Sequence, residues 1–305
     1  MSDQADRLRQ MVQARSAAVA LADPPPAGGR ALEPVKAQSL VLTSGKGGVG
    51  TSNLALNLAI ALGEASQRVV LVDADLGLAN IDLLCGLAPA SDLGDVLSGG
   101  GPLADALVTG PCGIRILPGA HAMRTLVEVL GDGPKRLVAE LAELEARSDF
   151  VLVDVGSGLG EGVATLAAAA SLVAIVTTPE PTSLADAHAV IGRFRKLAGP
   201  GRLRAVVNQA ASAAEASDVL ARLAATSRQF LGAVVTPLGH VRADPHVPQA
   251  VRLRRPFVLE YPGAIASRGV RRLARDLIEE RQPMGRRPGF FAALAARWAL
   301  SRVAR

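Results

Sequence analysis

Short apolar runs rich in β-branched residues recur along the middle of the chain, separated by alanine-rich stretches with helical spacing. The runs at 39–44, 68–72, 114–118, 149–154, 171–178, 203–208 and 231–236 are strand candidates. They are continuous rather than alternating in polarity, which is the pattern of strands buried on both faces. Strands of this kind alternating with helices predict an α/β fold. The expected form is a mostly parallel, doubly wound sheet of the P-loop NTPase type with helices on both faces. Before that region, Ala5, Leu8, Met11 and Val12 form one helical stripe, giving an N-terminal helix within 1–21. Four prolines and two glycines follow within 22–36, so residues 22–38 read as a linker. The α/β domain then spans 39–280, and 281–305 is a separate C-terminal tail.

Composition changes this picture in two places. The chain has 305 residues, 49% of them hydrophobic but only 3% aromatic, so the core must be aliphatic. The net charge is +5, yet the tail 281–305 carries six arginines and no acid, which leaves −1 for residues 1–280. The body is therefore close to neutral, and a nucleic-acid-binding face is not indicated. Within the tail, Phe290, Phe291, Leu294 and Trp298 fall inside about 100° of a helical wheel. With arginines flanking that arc, the expectation is a helix lying in an anionic membrane surface; docking on the protein's own body is the alternative. No uncharged apolar run approaches the roughly 18–20 residues of a membrane span. Cys85 and Cys112 have no metal-ligand or redox spacing, as expected for a reducing cytoplasm.

The chemistry is concentrated in 43-TSGKGGVGTSN-53, directly after the first strand candidate. Gly45 and Gly50 have P-loop separation, and Ser52 stands where a magnesium-binding hydroxyl belongs, but Thr51 replaces the lysine that the motif requires. Gly45-x-Gly47-x-x-Gly50 also satisfies the dinucleotide fingerprint, and a plain glycine turn would read the same way. Three features favour phosphate. Asp73 and Asp75 lie together at the carboxyl end of one strand, where a dinucleotide site needs a single acid. Asp154 ends the apolar run FVLVD in the manner of a Walker B acid. Lys46 is one of only four lysines in a chain with 29 arginines, so a compact ammonium in this loop is a distinctive choice, although a solvated loop charge is the simpler reading.

SGKGGVG, DADLGLANIDLLCGL, TTPEPTSLADAHAVI and AVVNQ, in that order, resemble the deviant Walker A ATPases of the MinD/ParA family. Within it, the similarity is greatest to the flagellar-number regulators of the FlhG, YlxH and FleN group. Asp3, Gln4, Ala5, Leu8 and Arg9 resemble the motif by which that group engages an FlhF-like GTPase. The resemblance implies ATP and Mg2+ as ligands and a homodimer formed on ATP binding. It implies that Lys46 reaches the partner's phosphates and that the backbone from Gly45 through Gly47, Gly48, Val49, Gly50 and Thr51 to Ser52 cradles the nucleotide. Ser52, Asp73 and Asp154 would serve magnesium, Asp75 would orient water, and Asn208 would meet adenine unless it simply caps a loop. Cytoplasmic location with reversible attachment to the inner membrane face follows from the same resemblance. Thr51 departs from the pattern. Losing one charge-assisted hydrogen bond of about 1.5–3 kcal/mol implies roughly 10- to 150-fold weaker ATP binding. It also leaves open a non-hydrolysing adaptor, a division-site or partition ATPase, and more remotely a Rossmann oxidoreductase.

Overall fold

The computed structural model describes residues 37–75, 80–89, 91, 95–96, 101–119, 135–197, 201–281 and 288–303. The N-terminal stripe at Asp3, Gln4, Ala5, Leu8 and Arg9 lies outside them, as does the linker except for its last two residues. The first strand begins within that expected linker.

The strands are β1 (Gln38–Ser44), β2 (Val69–Asp73), β3 (Val108–Thr109), β4 (Arg115–Leu117), β5 (Phe150–Ser157), β6 (Leu172–Thr177), β7 (Leu203–Ala210) and β8 (Val235–Arg242). They form one sheet in the order β3-β4-β2-β5-β1-β6-β7-β8, parallel throughout except for the β3–β4 pair at one edge. The expected strand at 231–236 is displaced. Helical pattern persists to Leu231, Gly232 closes the helix in the left-handed region at φ 60°, and the strand starts only at Val235. The edge strand β3 is two residues long, too short to leave a periodic signal.

Successive residues of the central strands feed opposite faces. On β1, Val41 joins one core while Leu40 and Leu42 join the other; on β5, Val151 and Val153 oppose Phe150 and Leu152 in the same way. One face is covered by α1 (Thr51–Glu64), α2 (Ile81–Cys85), α9 (Phe257–Glu260) and α10 (Ile265–Glu279). The other is covered by α4 (Lys135–Ala146), α5 (Glu161–Ala169), α6 (Pro181–Phe194) and α7 (Ala213–Leu231). The short helices α3 (Leu103–Ala106) and α8 (His246–Arg252) complete the connections before the tail.

The tail corrects an expectation. Residues Phe290–Val303 form helix α11, but Phe290, Phe291 and Leu294 are each no more than 2% exposed and belong to the core beside α4 and α5. The Glu145 carboxylate, itself buried, accepts the N–H groups of Phe290 at 2.6 Å and Phe291 at 3.1 Å. An anion at the helix N-terminus satisfies donors that have no partner within the helix. The apolar face assigned to a membrane is thus occupied by the body; the side chain of Trp298 lies outside the described residues. No described helix is long and apolar enough to cross a membrane.

Candidate functional site

β1 lies between β5 and β6, so the loop leaving its carboxyl end opens at the point where the strand order reverses. Open α/β sheets bind ligands in this crevice. The loop Gly45–Gly50 runs straight into α1, whose N-cap, Gly50, sits in the left-handed region at φ 88°. An L side chain there would also meet the Asn208 amide, 2.6 Å from an added Cβ, so glycine is needed on both counts. No side chain caps α1. Its first N–H groups are the orphan donors of a helix N-terminus, which favour an anion.

Two carboxylates face each other below this loop. Asp73 and Asp154 are paired in register across β2 and β5, and both are buried. Asp73 Oδ2 accepts the N–H groups of Asn80 and Ile81 at 3.0 and 3.1 Å, and Oδ1 that of Asp75 at 3.3 Å. Asp154 Oδ1 accepts the Gly156 N–H at 3.1 Å, and the Ser52 side chain near it favours the charged form of this carboxylate. Burial pushes Asp73 up to about 7, and the adjacent Asp154 charge adds to the rise. Burial likewise raises Asp154 to about 6, with Asp75 contributing in the same direction. Asp154 Oδ2 is buried and has no hydrogen-bond partner. Two carboxylates that resist ionisation, one with an orphan oxygen, fit a cation. Among the described residues no group of three or more His, Cys, Asp or Glu could hold a metal unaided. That donor set suits magnesium, which takes one or two carboxylates together with phosphate and water.

Asp75 is drawn in by a residue that sequence reasoning passed over. A Cβ on Gly156 would lie 2.3 Å from Asp75 Oδ2, and Gly156 has φ 62°. This glycine, two residues past Asp154 and near the carboxyl end of β5, therefore leaves room for the Asp75 carboxylate. The clue was present in the run Asp154-Val155-Gly156-Ser157-Gly158.

The loop's own polar groups are largely turned inward. Thr51 is buried, and its hydroxyl donates to Ser44 Oγ at 3.0 Å; Ser44 in turn donates to the Lys46 carbonyl at 3.0 Å. Lys46 Nζ donates to Glu180 Oε2 at 2.9 Å and Thr182 Oγ1 at 3.3 Å, at the start of α6. Asn208 Nδ2 donates to the Val49 carbonyl at 2.8 Å, and Gln209 Nε2 to that of Gly48 at 3.4 Å. Asn208 thus braces the glycine loop through the Val49 carbonyl. The structure therefore brings together Gly45–Ser52, Asp73, Asp75, Asp154 and Asn208. It leaves Phe290, Phe291 and Leu294 outside any exposed surface. Glu180 had no signal of its own beyond standing between Pro179 and Pro181 at the start of a helix.

The chain is similar to proteins with this architecture. It is 36% identical over 240 residues to the antiactivator FleN of Pseudomonas aeruginosa, covering 79% of this chain and 86% of that one. The flagellum site-determining protein YlxH of Helicobacter pylori is 35% identical over 153 residues, covering 50% and 52% respectively. Among solved structures, the MinC:MinD cell division complex of Aquifex aeolicus aligns with a TM-score of 0.62 at 29% identity, covering 83% of this chain and all of that one. MinD of Pyrococcus horikoshii complexed with Mg-ADP aligns at 0.62 and 27% identity, covering 79% and 96%. The family model for the CobQ/CobB/MinD/ParA nucleotide binding domain matches residues 40–252, the span holding the glycine loop, all three aspartates and Asn208. By its fold, its loop and these matches, the chain belongs to the CobQ/CobB/MinD/ParA family of nucleotide-binding domains.

Proposed function

We propose that this chain is an ATP-dependent switch of the MinD type that sets flagellar number or placement. The observation that carries the nucleotide chemistry is the in-register Asp73–Asp154 pair beneath the loop, with Asp154 Oδ2 left without a partner. The similarity to FleN and YlxH supports the flagellar assignment over a division-site or partition role.

In this reading the N–H groups at the start of α1 hold the phosphates. Ser52 and Asp154 hold magnesium, with Asp73 behind them; the ion would neutralise phosphate charge and relieve the two buried carboxylates. Asp75, seated over Gly156, orients the attacking water. Lys46 leaves Glu180 when a second copy approaches and meets that copy's phosphates, so that ATP joins two protomers. The pair it gives up is half exposed, 42% on the Lys46 side and 65% on the Glu180 side, and so is worth only about 0–1 kcal/mol. The N-terminal residues Asp3, Gln4, Ala5, Leu8 and Arg9 engage an FlhF-like GTPase. Attachment to a membrane through Phe290, Phe291 and Leu294 is not part of the proposal, because the body uses that face.

A second reading has its own observation. Thr51 supplies no ammonium, and Lys46 is turned toward α6. A non-hydrolysing adaptor would look the same. Phosphate release under saturating Mg-ATP, read beside equilibrium ATP binding, decides between them. Binding with turnover supports the switch, binding without turnover the adaptor, and no binding removes both roles for ATP.

A further inference from the structure

Beside α2 and α8 lies a cleft that the nucleotide chemistry does not use. It encloses about 450 Å3, and its walls include Leu83, Leu87, Ala88, Leu253, Arg254 and Arg255. Leu83 and Leu253 are about half exposed, at 48% and 52%, in a chain that buries most of its large aliphatic side chains. A concave surface that combines a few apolar side chains with polar groups has the form of a binding groove.

The backbone around the cleft is constrained. α2 ends at Gly86, with φ 65°, and the chain beyond α8 turns through Arg254, a non-glycine residue with φ 54°. The two are pressed together, since a Cβ on Gly86 would lie 3.0 Å from the Arg254 carbonyl. A left-handed arginine is strained, and such strain persists where the surroundings hold it for use. The conformation presents Arg254 at the cleft. Its guanidinium has no carboxylate partner among the described residues, whereas Arg255 pairs with Glu260 at 2.9 Å. None of the described residues lining the cleft is acidic.

We propose that this cleft is a docking site for an acidic, leucine- or phenylalanine-bearing segment of a partner protein. The apolar side chain inserts between Leu83 and Leu253, and a carboxylate meets the planar donor fork of Arg254. Charge complementarity and concavity select this occupant. A bilayer offers the same chemistry, but as a plane, and an inward-curving wall suits an inserted side chain. The position also has a physical link to the nucleotide site. The first turn of α2 hangs on Asp73 through the N–H groups of Asn80 and Ile81, and the other end of the same helix forms the cleft wall.

The test uses the full-length protein without nucleotide, so that its outcome is independent of the ATP assignment. The probe is an array of short fluorescent peptides with glutamates around spaced Leu or Phe residues, read by anisotropy. Counterparts carry Lys for Glu or Ser for the apolar residue. Acidic–apolar peptides should bind at least about tenfold tighter than both counterparts, and Leu253→Asp and Arg254→Glu should each reverse most of that gain. Both positions lie on the surface, so thermal melts should stay unchanged, and hydrogen exchange should slow at 81–88 and 249–256. Equal binding of lysine peptides, no binding at millimolar peptide, or affinity untouched by both substitutions overturns the proposal. So does a result in which only phosphatidylglycerol vesicles bind and Leu253→Asp abolishes that binding, which assigns the cleft to a membrane.

Discussion

Thr51 replaces the charge that usually grips the nucleotide, and its hydroxyl braces the loop instead, through Ser44. Thr51→Lys should therefore tighten ATP binding by roughly 10- to 150-fold, measured as a dissociation constant at fixed magnesium and stated salt. Glu180→Gln frees Lys46 from its ion pair; if Lys46 acts across a dimer, ATP-dependent self-association should strengthen, by less than about fivefold for so exposed a pair. A weaker association after this change would remove Glu180 as a resting partner. The buried aspartates predict a pH dependence of the magnesium-free protein. Their folded values, about 7 for Asp73 and about 6 for Asp154, lie above the ordinary carboxylate value. The folded state thus holds more protons than the unfolded chain between about pH 4 and 7, and stability falls as pH rises through that window. Asp154→Asn should flatten the fall, and added Mg2+ should offset it at neutral pH; thermal melts across the pH series check both. At this scale the glycine loop and the aspartates were legible, because their spacing is itself the chemistry. The Lys46–Glu180 pair and the space over Gly156 were not, since each joins segments distant in the chain.

Helix α11 shows how the same pattern admits two readings. An apolar arc flanked by arginines can face lipid or protein, and the wheel is identical in both cases. The difference lies in Glu145, on another helix, whose carboxylate receives the first N–H groups of α11. Phe291→Ala should consequently lower the unfolding free energy by about 3–5 kcal/mol, as for a core phenylalanine, without altering sedimentation with anionic vesicles. A change in vesicle binding with unchanged stability would restore the membrane assignment. Gly289→Ala should also destabilise, because an added Cβ would lie 2.7 Å from Glu145 Oε2. Among the strands, six of the seven expected runs were placed within about three residues at either end, because buried parallel strands are uninterrupted apolar segments. The seventh failed at a helix end, where Phe230 and Leu231 continue the apolar composition up to Gly232.

For the whole molecule, the sheet order was not readable from the chain, although its class was. Period and composition say that strands are buried on two faces; only packing decides which strands are neighbours. The proposed function is likewise a property of assemblies. Mg-ATP should double the mass observed by sedimentation velocity, and Lys46→Ala should prevent it while leaving the apo protein monodisperse. A peptide of residues 1–20 should alter GTP turnover by an FlhF-like protein, and no effect at saturating peptide would separate the N-terminus from that partner.

The placement of β1 also sets the order in which the protein can be made. Its two neighbours, β5 and β6, are the fourth and fifth strands to follow it, so Ser39 bonds to Ser171 across a separation of 132 residues. Contacts of such range close late. During synthesis, the glycine loop leaves the ribosome long before the strands that hold it, at about 5–20 residues per second. On the proposed reading, ATP therefore stabilises the finished domain and does not help to nucleate it. A ribosome stalled before β5 would display a chain whose glycine loop is complete, whose Asp154 is not yet made, and whose nucleotide site does not yet exist.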